Sequence, residues 1–147
     1  MFFQFSHFES IIGMGLDQYA YKIKKNLIAD EIDIKLRNEE GELVVPEEEL
    51  DTDFFYWRKH HDLQGWMENL YYGRGGSREF NCVCIKLSEA DLNNLEKAVQ
   101  DAKLPHTKGF FFGSGNTKGY VEDDLRFIRM AKEAISEGYD ILYSSWW

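Results

Sequence analysis

The hydrophobic period of this chain changes along its length, and that change limits the folds open to it. Before residue 60, apolar positions recur every second residue. Residues 19–25 alternate aromatic, small and basic side chains, as an edge or half-buried strand does. Residues 31–37 alternate more clearly, with Ile32, Ile34 and Leu36 on one side and Asp33, Lys35 and Arg37 on the other. Residues 38–41 read as a turn, 43–45 as a short strand stopped by Pro46, and 53–57 as a further strand. After that the period becomes helical. Leu63, Trp66, Met67, Leu70 and Tyr71 form a stripe over residues 59–72, ended by Gly73. Ser88, with Asp91 three residues on, is a variant capping box in front of Leu92, Leu95 and Val99. A third helix is predicted over residues 121–137, with Leu125, Ile128, Ala131 and Ile135 inward and Gly138 as its stop. Residues 80–87 and 139–143 read as strands. The first strands have no helical connections between them. The pattern therefore predicts an α+β fold over residues 14–147: one domain, a mostly antiparallel or mixed sheet, and about three helices.

A chain of 147 residues buries roughly two thirds of its unfolded surface, so neither disulfide nor metal is needed to hold it. Cys82 and Cys84 fall on one face of a predicted strand and read as core packing. His60 and His61 are adjacent, and so diverge by about 100° on a helix, a poor arrangement for one metal ion. No metal or cofactor is expected. The formal net charge of -9 argues against general nucleic-acid binding, which needs clustered Lys and Arg. Eight carboxylates crowd residues 39–53 without a basic residue; they read as a solvated loop or as a decoy for a basic host surface. No apolar run approaches the ~18 residues of a membrane span, and the apolar start lacks the basic region and cleavage site of a signal peptide. The expected location is the cytoplasm.

Four stretches carry chemistry. Arg58, Lys59, His60 and His61 fall where a strand passes into a helix, where free N–H groups and the helix dipole attract anions. They read as an anion site or as surface charge flanking Trp57. The run 109–115 sets three Phe between glycines. Alternation sends Phe111 to a different surface from Phe110 and Phe112, so Phe111 is either a stacking wall, with Ser114 hydrogen-bonding beside it, or part of a buried turn. The loop 73–78 has three glycines and two arginines, and reads as a connector or as a set of N–H groups for phosphate. Asp124 shares the inward arc of its helix with Ile128 and Ala131, either stabilised by the dipole or facing a site. With Trp66, these define an expected ligand site of Arg58, Lys59, His61, Trp66, Phe111, Ser114 and Asp124, in which Asp124 orients Arg58 or meets the ligand. No order of Ser, His, Cys and Asp stands out as a catalytic triad.

The text Met14-Gly15-Leu16-Asp17 with Tyr19, then Tyr56-Trp57-Arg58-Lys59, Leu104-Pro105, Thr107, Gly109-Phe110-Phe111-Phe112-Gly113-Ser114 and Tyr143-Ser144-Ser145-Trp146 resembles a family of small bacteriophage proteins. The resemblance spans nearly everything after Met14. It implies phage origin, a location in an infected bacterial host, and residues 1–13 as an N-terminal extension. Such proteins often carry the name phosphoglycerate kinase. This chain is one small domain without G-x-x-x-x-G-K-[ST], and that activity is not expected of it. Gln64 stands where relatives place a His. The resemblance brings no mechanism. The leading expectation is a protein that binds a small anionic, ring-containing, nucleotide-like molecule and sequesters a host defence signal. The alternatives are a small enzyme acting on such a ligand, with Asp124 or His61 as the acid-base group, and an acidic protein that inhibits a host protein.

Overall fold

Strand β1 (Asp17–Lys24) lies between β2 (Leu50–Arg58) and β4 (Tyr139–Trp146), with β3 (Cys84–Leu87) outside β4, in the computed structural model, which describes residues 15–107 and 117–147. Every pairing in this four-stranded sheet is antiparallel. Three helices complete the α+β fold: α1 (His61–Gly73), α2 (Glu89–Gln100) and α3 (Val121–Ser136). No helix among the described residues is long and apolar enough to cross a membrane.

β1 is half-buried, as its alternation suggests, but it is interior and not an edge. It pairs with β4 over all eight of its residues and with β2 along its other side. The β1–β2 register slips between Ala20 and Lys22, so that three residues of β2 oppose Tyr21 alone. An unbroken strand sends consecutive side chains to opposite faces. This irregularity lets Phe54 and Phe55 both reach Phe127, at 6.5 and 5.3 Å between ring centroids.

Three expected strands are corrected: residues 43–45 form no strand beyond the isolated bridge at Leu43, and two others change as follows. Residues 31–37 form an irregular segment, tied by a single bridge from Arg37 to Leu43. Asp33 sits at φ 52°, in the left-handed region, which interrupts the pleat. The segment still borders the sheet: Ile34 N donates to Cys84 O at 3.0 Å and Lys86 N to Glu31 O at 2.9 Å, covering the outer edge of β3. The strand expected over residues 80–87 shrinks to Cys84–Leu87, because Cys82 has φ 62°.

One sheet face packs on the helices. Ala20, Phe55, Trp57, Ile85, Ile141 and Tyr143 join Leu63, Met67, Tyr71, Leu92, Leu95, Phe127 and Ile128 in the main core. The stripe of α3 centres on Asp124, Phe127, Ile128 and Ala131, which leaves Leu125 and Ile135 only partly buried. Ile23, Cys84 and Leu142, on the other face, meet Ile28, Ile34 and Val45 in a smaller core. The capping box of α2 is complete: Ser88 Oγ accepts from Asp91 N, and the Asp91 carboxylate accepts from Ser88 N. Arg74 donates to the same carboxylate. Leu95 is 1% exposed at the middle of this helix. Leu95→Ala is expected to cost about 2–5 kcal/mol, read as a lower midpoint in urea unfolding; a near-neutral change would place Leu95 outside the core.

Candidate functional site

Two constellations stand out, one on each face of the sheet. On the helix face, Lys59 turns the chain from β2 into α1 at φ 60° and brings His60 to the N-cap. His60 is fully buried. Its Nδ1 accepts from Leu63 N at 3.4 Å, so Nε2 carries the proton and donates to Asp124 Oδ2 at 2.8 Å. Trp57 Nε1 donates to the other oxygen of Asp124 at 3.0 Å. The Tyr120 ring stacks on His60, 4.1 Å between centroids and 7° from parallel. Gln18 donates to the His60 carbonyl and to the Tyr143 hydroxyl, both at 3.0 Å, and accepts from His60 N. Tyr143 donates to Gln64, which in turn donates to Ser145 Oγ at 2.8 Å. Asp124 lies in the first turn of α3, where the helix dipole favours a carboxylate.

This network joins the strands to α1 and α3. Both nitrogens of His60 and both oxygens of Asp124 are engaged inside, so the pair acts as scaffold and not as an acid-base couple facing a substrate. His60 also occupies the N-terminus of α1, where an anion site was expected. Gln64 is equally enclosed. Sequence reasoning placed His60 at the strand-to-helix passage as a surface or anion-site residue; its role as a buried cap paired with Asp124 was not anticipated.

The expected site residues fall in different places. Arg58 is on the opposite sheet face from Asp124, because neighbouring Trp57 points to the helices. Asp124 does not orient Arg58; the Arg58 side chain is 54% exposed, with Nε 3.7 Å from Asp17 Oδ1. Lys59 is exposed, its stem lying beside Gly15. His61 is buried, and burial pushes its imidazole below the usual value; Asp62 opposes this, while His60 and Lys59 reinforce it. Trp66 is half-buried against the main core. Phe111 and Ser114, with the rest of the 109–115 run, lie outside the described residues, as do residues 1–13. The loop 73–78 offers no free phosphate cradle at its start: the N–H groups of Arg74, Gly75 and Gly76 donate to the carbonyls of Leu70, Tyr71 and Tyr72. Among the described residues no group of three or more His, Cys, Asp or Glu is placed to hold a metal ion.

The second constellation is a cleft of about 460 Å³ between the other sheet face and residues 34–52. Tyr21, Leu36, Arg37, Thr52, Cys84 and Ser144 contribute to its walls, and Glu47 stands among them. A smaller cleft of about 230 Å³ shares Ile34, Arg37, Cys82 and Cys84 and adds Lys35 and Arg78. Burial pushes the Cys84 thiol and the Tyr21 phenol up to about 12. It also raises Cys82, against an opposing influence from Arg78. All three groups are therefore neutral at neutral pH, and the thiols are weak nucleophiles. The walls combine an aromatic ring, neutral hydroxyls, a guanidinium and the Glu47 carboxylate, which suits recognition better than covalent chemistry.

Fold and cleft together define an α+β protein whose sheet rests on helices and whose other face shares a cleft with a long connection. The chain matches no family model, no curated protein and no solved structure.

Proposed function

We propose that this protein binds a small anionic molecule carrying a ring, in the cleft between the sheet and residues 34–52. The observation that carries this reading is the joint presence of the Tyr21 ring and the Arg37 guanidinium on the walls of one cavity of about 460 Å³, a size within the range of small-molecule sites. Tyr21 offers its ring to a base or similar heterocycle. Arg37 grips a phosphate or carboxylate as a fork, with Lys35 and Arg78 close by to strengthen the local field. Thr52 and Ser144 supply neutral hydrogen bonds. The ligand is nucleotide-like in this reading, and sequestering a host signal is the role we propose for binding it.

Mass spectrometry of small molecules released when the purified protein is denatured tests this reading, together with calorimetric binding of AMP. Arg37→Ala is expected to weaken binding by about 1.5–3 kcal/mol, the contribution of a hydrogen bond to a charged group, or about ten- to hundredfold in Kd. Fold is expected to be retained, since Arg37 is exposed and its Nη1 contact is to the neighbouring Gly41 carbonyl. If nothing is released and AMP does not bind, the acidic run of residues 39–53, whose carboxylates are exposed except at Glu49, becomes the better candidate for function, as a surface for a basic host protein.

A further inference from the structure

We infer that the ligand carries two stackable rings joined by an anionic linker, the second ring resting on Tyr19 and Tyr56 outside the cleft. The inference rests on the cleft being the binding site. Tyr21, in the cleft wall, is the end of an aromatic row: its ring lies 6.4 Å from that of Tyr19, at 27°, and Tyr19 lies 5.4 Å from Tyr56. The sheet register builds this row. Tyr19 pairs with Tyr56 on one side and with Ser144 on the other, and Ser144 itself lines the cleft. The second platform is thus continuous with the first, two residues along β1 and one strand across, or about 7 and 5 Å. Tyr56 is a large aromatic left 51% exposed, and its hydroxyl is anchored on Asp17 Oδ1. An exposed ring held in place on a sheet face is the arrangement that stacks unpaired bases.

Charge fixes both the sign and the length of the ligand. Arg37 stands at the cleft end of the row, and Arg58, next on the face beyond Tyr56, at the other. An anionic linker between the rings lies between two cations. A longer polyanion is disfavoured: Glu47, on the cleft wall, repels further phosphates. A dinucleotide satisfies both conditions, whereas a neutral sugar chain uses the rings and gains nothing from the arginines.

The test compares AMP with the 5′-phosphorylated adenylate dinucleotide pApA by calorimetry, in the wild-type protein and in Tyr56→Ala. The exposed position of Tyr56 keeps that variant folded, which circular dichroism checks; Tyr56→Phe, which retains the ring, serves as the rescue. The expected result is pApA binding about tenfold or more tighter than AMP, from one added base stack. Tyr56→Ala should remove that advantage while leaving AMP unchanged, and Tyr56→Phe should keep it. Equal affinity for the two probes, or an advantage that survives Tyr56→Ala, overturns the two-ring inference and leaves the cleft reading intact. Failure of both probes to bind overturns both. Tighter binding of maltotetraose than of pApA also overturns the inference, in favour of a sugar platform.

Discussion

Asp124→Ala is expected to destabilise the protein by about 3–5 kcal/mol, the usual consequence of removing one member of a buried polar or charged pair. Asp124 is 1% exposed and accepts from Trp57 Nε1 and His60 Nε2. Without the carboxylate both donors are left without that partner in a dry interior, which is costly because each keeps its desolvation penalty. The loss also propagates, since His60 caps α1 and its backbone holds Gln18. Asp124→Asn keeps an acceptor for one donor and should cost less. Urea unfolding of the two variants measures the difference. Equal, small effects would show that the His60–Asp124 contact contributes little to stability.

Phe127→Ala is expected to cost about 3–5 kcal/mol, the range for truncating a buried aromatic side chain. The Phe127 ring is fully buried and meets Phe55, Trp57 and Phe54 at 5.3, 4.8 and 6.5 Å, each steeply inclined to it. Such edge-to-face pairs add stability beyond burial alone. Typical domains have only about 5–15 kcal/mol in total, so the melting temperature should fall by about 10 °C or more. Scanning calorimetry checks this. Phe127→Leu, which conserves most of the volume, should recover a large part. A change of only a degree or two for Phe127→Ala would mean that the core between α3 and the sheet can collapse around the gap.

Helix placement was legible because its signals are local. The Ser88–Asp91 box, the apolar stripes of α1 and α2, and the glycines at the ends of α1 and α3 each act within a few residues. Phase was less secure: the stripe of α3 rotates toward Phe127 because the clustered rings of β2 occupy that side. Alternation marked β1 and β2 correctly but misled over residues 31–37. There Ile34 and Leu36 do turn toward the sheet, while a left-handed Asp33 breaks the strand. Periodicity reports which side chains are buried and says nothing about the φ of one residue.

The candidate cleft was illegible for a related reason. Arg37 looked like the polar side of a strand, and Tyr21 belongs to a different one. They share a cavity only because residues 34–52 fold back over the sheet face.

By itself, then, the sequence determined the class of fold, the presence of three helices, the cap of α2, and most of the residues that fill the main core. These follow from hydrophobic period and from capping bonds that span three or four positions. Tertiary structure alone decided that β1 is central, that Arg58 and Asp124 part to opposite faces, and that His60 finds Asp124 across 64 residues and Gln18 finds Tyr143 across 125. A buried polar side chain must be paired wherever its partner sits in the chain. Which partner that is depends on strand order and register, set by the packing of the whole sheet and carried by no local pattern.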